Sequence, residues 1–172
     1  PQVYWQFKGA IAGMGEACRK LGTPVTGGNV SFYNENPEGA VYPTPTIGML
    51  GVVEHVDHAT TSWFKGEGDS ICLIGEPKPS IGGSEYLAHV FGKVAGDCPV
   101  LDLDREQAVL NATLDAIQAG LVRSAHDLAD GGLAVALAEC CIANREQTCG
   151  ATIDYAIDGR PDFAYFGETQ SV

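Results

Sequence analysis

The chain has 172 residues, enough for one domain or two small ones. Apolar residues make up 45% and charged residues 19%, a globular rather than a disordered composition. The formal charge of −12 argues against binding to a nucleic-acid backbone or to an anionic membrane surface. It leaves room for a small phosphorylated ligand held by backbone N–H groups and Mg²⁺.

The chain ends and the cysteines give three further expectations. No apolar run approaches the ~20 residues of a membrane span, and the N-terminus lacks the regions of a signal peptide. The first residue is Pro1 rather than methionine, so we expect a processed chain or an excerpt from a longer one. The six cysteines form no C-x-x-C pair, which indicates free thiols in a reducing cytoplasm.

The hydrophobic pattern predicts helices alternating with short strands. Helices are expected at residues 4–21, 84–90, 104–119 and 132–143, and strands at 30–33, 46–53, 69–75, 122–126 and 151–157. Ser84 is the expected cap of the second helix, and Asp102 or Asp104 that of the third. This alternation indicates an α/β or α+β fold. The polar stretch 55–68 has no clear period and is a predicted domain boundary.

The first candidate site lies in the glycine-containing stretch 26–31. The glycines before Asn29 let a backbone approach a bulky anion. Asn29 offers an amide oxygen that suits Mg²⁺, and Ser31 offers a hydroxyl for a phosphate or hydroxyl ligand. The stretch is neither a P-loop nor a dinucleotide fingerprint. Taken alone, it fits a glycine turn with capping side chains better.

The second candidate site is the stretch 124–132, which joins an expected strand to an expected helix. Asp130 can cap that helix, and Gly131 and Gly132 allow close approach to its N-terminus, which attracts anions. Asp127 is a hard oxygen ligand where a nucleotide–Mg²⁺ complex needs one. Ordinary capping beside a solvated His126 is an equally good interpretation.

Two further groups of polar residues have weaker patterns. Glu168 and Gln170 are two apart, so on a strand they share a face and could bind a ribose or an amide. An exposed polar strand face is the alternative. His55 and His58 could begin a metal site, but no third ligand is evident, so a solvated linker is favoured.

Four motifs together resemble one enzyme family. They occupy residues 23–35, 42–49, 124–132 and 166–171. In this order and at these distances they closely resemble the synthetase subunit of phosphoribosylformylglycinamidine synthase, and the resemblance covers essentially the whole chain. That family consists of two tandem halves, each similar to aminoimidazole ribonucleotide synthetase, with an N-terminal α/β domain and a C-terminal α+β domain.

The resemblance implies a position within the second half of such an enzyme. Residues 1–57 would be the end of its N-terminal α/β domain, residues 58–66 a linker, and residues 67–172 most of its C-terminal α+β domain. The implied reaction is a step of purine biosynthesis. ATP phosphorylates the amide oxygen of formylglycinamide ribonucleotide, and ammonia from glutamine displaces the phosphate to give formylglycinamidine ribonucleotide.

The resemblance also implies cofactors, partners and site residues. The cofactors are ATP and Mg²⁺, and the partners are the first half of the same enzyme, a glutaminase subunit or domain and a small nucleotide substrate. Gly28 matches an ATP contact, Asn29 a Mg²⁺ ligand and Ser31 a substrate contact. Asp127 matches a Mg²⁺ ligand of a second nucleotide site. Glu168 and Gln170 match the internal-repeat counterparts of substrate-binding residues in the first half.

No catalytic residue is expected in this chain, because the histidine and lysine of the family's reacting centre belong to the missing first half. We therefore expect a contribution to a composite site and inactivity in isolation. Related enzymes (aminoimidazole ribonucleotide synthetase, selenophosphate synthetase, a thiamine phosphate kinase) are disfavoured, because residues 29–35 resemble the amidotransferase. A noncatalytic nucleotide-binding and assembly module stays open as the alternative from a different class.

Overall fold

The computed structural model describes residues 2–75, 80–157, 159–169 and 171. It divides into two compact units, with the boundary between Val52 and Val53. The α-helices of the described residues are α1 (Gln2–Leu21), α2 (Glu85–Phe91), α3 (Leu103–Gln118), α4 (Gly132–Ile142) and α5 (Pro161–Phe166). A hairpin of β1 (Glu35–Asn36) and β2 (Gly39–Ala40) and a 3₁₀ turn at Val56–His58 complete them. None of these helices is long and apolar enough to cross a membrane.

Helix α1 dominates the first unit and confirms the first predicted helix, although it begins two residues earlier. Arg19 and Lys20 lie in its last turn, where positive charge is favourable, and Gly22 follows at a φ of 68°. No residue of α1 is buried. Its apolar side contributes an edge-to-face contact between Phe7 and Phe32, with ring centroids 5.7 Å apart.

The hairpin replaces the strand expected at 30–33, and that prediction is wrong. Its turn lies at residues 36–39, where the side chain of Asn36 accepts a hydrogen bond from Glu38 N at 2.9 Å. The strand expected at 46–53 is also not present. Ile47 and Leu50 are exposed there, and an extended segment without a hydrogen-bonded neighbour does not form a sheet.

The core of the second unit forms around α4. Leu128, Leu133 and Ala136 are buried together, and Leu73, Leu137, Tyr155 and Tyr165 pack against them. Buried residues recur on α4 three and four positions apart, as expected for a helix with one face in a core. The helix confirms the prediction at 132–143 and ends one residue earlier.

The start of α4 differs from the sequence expectation. The sequence offers Asp130 as a cap, but the N-cap residue is Gly131 and no side chain caps the helix, so Asp130 does not have that role. Gly131 and Gly132 have φ values of 83° and 68°, which favour glycine. A Cβ on Gly132 would lie 2.6 Å from the carbonyl oxygen of Gly167. The glycine therefore allows the N-terminus of α4 to pack directly against the end of α5.

Helices α2 and α3 confirm the capping predictions. Ser84 is buried, its Oγ accepts from Leu87 N at 3.3 Å, and it donates to the carbonyl of Ile81 at 2.6 Å. Asp102, rather than Asp104, caps α3 and accepts from two backbone N–H groups at 3.1 Å each. Both predicted helices are shifted by only one residue at their ends.

The strands expected at 69–75, 122–126 and 151–157 do not form in the described residues. The backbone instead makes isolated contacts, such as the bridge between Gly75 and Ser171 and the bond from Ala125 N to Thr61 O at 3.2 Å. The last motif follows a helix, α5, and Glu168 lies in irregular backbone rather than on a strand. Helices with a small sheet agree with the predicted α/β and α+β class.

Candidate functional site

Two of the predicted site motifs converge in the second unit. Leu128 N donates to Ser171 O at 2.9 Å, and Gly131 N donates to the carboxylate of Glu168 at 2.9 Å. These bonds bring the stretch containing Asp127 beside the stretch containing Glu168, as a shared site requires. Gln170, the remaining predicted residue of this motif, lies outside the described residues.

A groove of about 480 Å³ runs along this junction. Its ionisable lining residues are all acidic, namely Glu106, Asp127, Asp130 and Glu168, and its apolar lining includes Pro99, Val100, Leu101, Val109 and Leu110. An acidic groove repels a bare phosphate and favours one that arrives with a cation. Thr169 also lines the groove, and its buried Oγ1 has no hydrogen-bond partner among the described residues. An unpaired buried hydroxyl is costly, so water or ligand contact would relieve it.

Glu168 holds two helix N-termini with one oxygen. Its Oε1 accepts from Gly131 N at 2.9 Å and from Glu85 N at 2.8 Å, although Glu85 lies 83 positions away. Negative charge is stabilising at helix N-termini, so the carboxylate joins the starts of α2 and α4. Any ligand contact by Glu168 must therefore use Oε2 or displace one of these N–H groups.

Asp127 and His126 have very different exposure. The side chain of Asp127 is 74% exposed, and that of His126 only 18% exposed. His126 Nδ1 lies 2.8 Å from the main-chain oxygen of Asp127 and 3.4 Å from its Oδ1, and Nε2 lies 2.9 Å from Glu139 Oε2. His126 is therefore partly buried and contacts two oxygens, rather than being fully solvated. Its partner Glu139 is 13 positions away, so no sequence spacing indicates this contact.

A second groove, of about 500 Å³, lies beside His126. Its lining residues are Ser62, His126, Glu139, Ile142, Ala143 and Arg145. Nearby, burial raises the pKa of the Cys140 thiol, and its carbonyl accepts from Phe64 N at 2.9 Å. Burial, and next the charge of Arg123, lower the pKa of Lys65, whose ammonium lies 3.8 Å from the centre of the Trp63 ring. This region packs the segment 61–65 against α4.

The glycine-containing loop of the first unit is open. Gly28, Asn29 and Ser31 are all exposed, and a Cβ placed on Gly28 would meet no atom within 4 Å. A ligand can therefore approach this backbone closely, as the sequence interpretation requires. The described residues contain no group of three or more His, Cys, Asp or Glu side chains arranged to hold a metal. The rings of His55 and His58 meet edge to face, with centroids 5.4 Å apart.

Both parts of the chain match models of one protein family. Residues 66–171 match the sequence model described as AIR synthase related protein, C-terminal domain, and residues 1–53 match that of the N-terminal domain. The chain belongs to the AIR synthase related family, which confirms the predicted fold class.

Similar curated proteins narrow the resemblance. The chain is 53% identical over 171 residues to the phosphoribosylformylglycinamidine synthase subunit PurL of Moorella thermoacetica. It is 53% identical over 172 residues to the same subunit of Symbiobacterium thermophilum, and 47% identical over 178 residues to that of an Anaeromyxobacter species. Each match covers 99% of this chain, but only 22–23% of the relative. The resemblance to the synthetase subunit is thereby confirmed.

Proposed function

We propose that this chain is part of the ligase that makes formylglycinamidine ribonucleotide in purine biosynthesis. The reaction consumes formylglycinamide ribonucleotide, ATP and ammonia derived from glutamine. The observation that carries the proposal is the 47–53% identity over 99% of the chain to three PurL subunits. Because the chain spans less than a quarter of those relatives, the proposal concerns the larger protein to which these residues contribute.

In this proposal the first unit contributes to a composite active site. Gly28 contacts ATP, Asn29 ligates Mg²⁺ and Ser31 contacts the substrate. Their exposure and the open space beside Gly28 support such a role, since a ligand could reach all of them. The bound Mg²⁺ would neutralise the charge of the ATP phosphates.

The second unit contributes Asp127 as a Mg²⁺ ligand at a nucleotide site. Mg²⁺ commonly binds one or two carboxylates together with phosphate oxygens and water, so a single exposed carboxylate fits the ion. The acidic lining of the groove supports the same arrangement, because it disfavours a phosphate without its cation. Glu168 and Gln170 are proposed substrate contacts, with Glu168 acting through Oε2.

The proposal includes partners that supply the remaining chemistry. The first half of the same enzyme supplies the reacting centre, and a glutaminase subunit or domain supplies ammonia, so the chain alone is inactive. The expected setting is the cytoplasm. The proposed domain limits are 1–57 and 67–172, joined by a linker at 58–66. The family matches at 1–53 and 66–171 are similar to this division without testing its exact limits.

The decisive experiment measures ammonia-dependent amidine formation by the full-length protein. Asn29→Ala should raise the Mg²⁺–ATP concentration required for half-maximal rate, because a metal ligand is lost. Asn111→Ala, on the exposed surface of α3, is the matched control and should behave like the unaltered protein. Unchanged nucleotide kinetics in Asn29→Ala would contradict the assignment, and absence of the activity from the unaltered protein would refute the function.

A noncatalytic nucleotide-binding and assembly module is the second candidate. It is favoured by the lining of the Asp127 groove, whose described residues include acidic groups but neither histidine nor lysine for proton transfer. Asp127→Asn distinguishes the two roles in the full-length protein. Loss of one bound nucleotide with turnover retained would indicate a structural nucleotide. Loss of both would indicate a catalytic one.

A further inference from the structure

His126 connects the loop that carries Asp127 to the body of α4. One side of its ring contacts the main-chain oxygen of Asp127 at 2.8 Å, and the other contacts Glu139 Oε2 at 2.9 Å. Both neighbours are hydrogen-bond acceptors, so a ring nitrogen that carries a hydrogen can donate to the one it faces. The imidazole thus adds a direct contact between the loop that precedes α4 and the C-terminal half of that helix, beside the core contacts of Leu128.

The Glu139 end of this bridge lies on α4, a helix that packs in the core. Leu128, directly after Asp127, belongs to the core with Leu133 and Ala136 of α4. Glu139 lies on the same helix, one position before the buried Cys140. His126 therefore transmits the position of a packed helix to the main chain of Asp127, whose own side chain remains 74% exposed. An exposed carboxylate gains little orientation from packing, so its main-chain contact matters more.

We propose that His126 is a positioning residue that sets the orientation of Asp127 for binding a magnesium–nucleotide complex. The inference rests on the proposed role of Asp127 and adds the group that holds it. His126 acts through its Nδ1 contact with the Asp127 main chain, and Glu139 fixes the ring from the opposite side. The bound ligand is reached by Asp127 and not by the imidazole.

The chain contains a matched pair for comparison. His89 Nε2 also lies 2.9 Å from a carboxylate oxygen, Glu85 Oε2, but the two side chains are 81% and 50% exposed and lie one turn apart on α2. This pair has the same chemistry as His126 and Glu139 but does not join a loop to a core helix. Exposed pairs of this kind contribute little. His89→Ala is therefore the control for loss of a histidine–glutamate contact.

The test measures binding of Mg²⁺–ADP to the full-length protein by calorimetry, since ADP avoids turnover. His126→Ala should weaken the affinity about 5- to 10-fold, the usual effect of one lost hydrogen bond. Asn places an amide N–H near the position of Nδ1, so His126→Asn should stay within about 2-fold of the unaltered protein. Gln places its amide near Nε2, so His126→Gln should resemble His126→Ala. His89→Ala should leave the affinity unchanged.

Combination with Asp127→Asn separates this inference from the proposed function. If His126 acts through Asp127, adding His126→Ala to Asp127→Asn should cause no further loss. Three outcomes would overturn this inference and leave the proposed function intact. They are additive losses in the double variant, equal effects of Asn and Ala at position 126, and unchanged affinity in His126→Ala when Asp127→Asn is weakened. Normal affinity in Asp127→Asn would overturn the proposed nucleotide role of Asp127, and the positioning role with it.

Discussion

The two compact units hold their candidate residues in different ways. Among the described residues of the first unit none is buried, and Asn29 lies on an exposed loop. In the second unit Asp127 directly precedes buried Leu128, and Glu168 directly follows buried Gly167. The first site therefore lies on exposed backbone, whereas the second is positioned next to buried residues.

The difference does not come from composition. The first unit is rich in large apolar side chains, but Tyr42 is 84% exposed and Leu50 fully exposed. The second unit buries smaller residues, such as Ala136, around a single helix. Burial by neighbouring elements, rather than the number of apolar residues, distinguishes the two units. Substitutions that test packing should consequently have effects in one unit and not in the other.

The largest effect is expected from Gly132→Ala. The φ of 68° would strain an alanine backbone, and the added Cβ would lie only 2.6 Å from Gly167 O. Because both effects act together, we expect a loss of about 3–5 kcal/mol in the free energy of unfolding. Gly120→Ala is the matched control. Its φ is 69° but its surroundings are open, so it should cost only about 1–2 kcal/mol. Equal losses in urea unfolding would show that the close approach of α4 and α5 is unimportant.

A direct comparison between the units comes from two leucines. Leu133→Ala removes a core side chain and should lower the free energy of unfolding by about 2–4 kcal/mol. Leu50→Ala removes an exposed side chain of the first unit and should change it by less than about 0.5 kcal/mol. Both are measured by urea unfolding of the 172-residue chain. A large loss in Leu50→Ala would contradict the contrast between the units.

Glu168 should have an intermediate effect. Glu168→Ala removes the acceptor of two backbone N–H groups and should cost about 2 kcal/mol, whereas Glu168→Gln keeps an acceptor oxygen and should cost less. Hydrogen exchange at Gly131 and Glu85 should accelerate together in the alanine variant. Glu67→Ala, an exposed carboxylate outside the groove, is the control. Acceleration at only one of the two amides would disprove the shared contact.

The smallest effect concerns Cys140. Burial raises the pKa of its thiol, so the folded state holds the thiol proton more tightly than the unfolded state does. The stability that this contributes is therefore lost as the pH rises above the ordinary thiol pKa of about 8.5. We expect unfolding to become easier at alkaline pH, and less so in Cys140→Ala. At pH 8 iodoacetamide should modify exposed Cys72 faster than Cys140. Equal alkylation rates would contradict the burial of Cys140.

Local signals predicted α1 to α4 and missed both α5 and the small sheet. The caps Ser84 and Asp102 lie within a few residues of the N–H groups they accept from, so the sequence contains the whole interaction. A strand depends on a distant partner, and the pattern at 46–53 cannot indicate whether that partner is present. The same reason explains the site. The motifs with Asp127 and Glu168 were found, but the Glu168 contact to Glu85 and the His126 contact to Glu139 connect residues without a sequence relationship.

The contacts of Ser171 also have a consequence for synthesis of the chain. Ser171 accepts from Leu128 and bridges to Gly75, and Glu168 holds the start of α4. During translation, the segment around Asp127 leaves the ribosome about 40 residues before these partners do, at a rate of roughly 5–20 residues per second. For several seconds the nascent loop lacks its anchors. The second unit can therefore complete its site only after residue 171 has emerged.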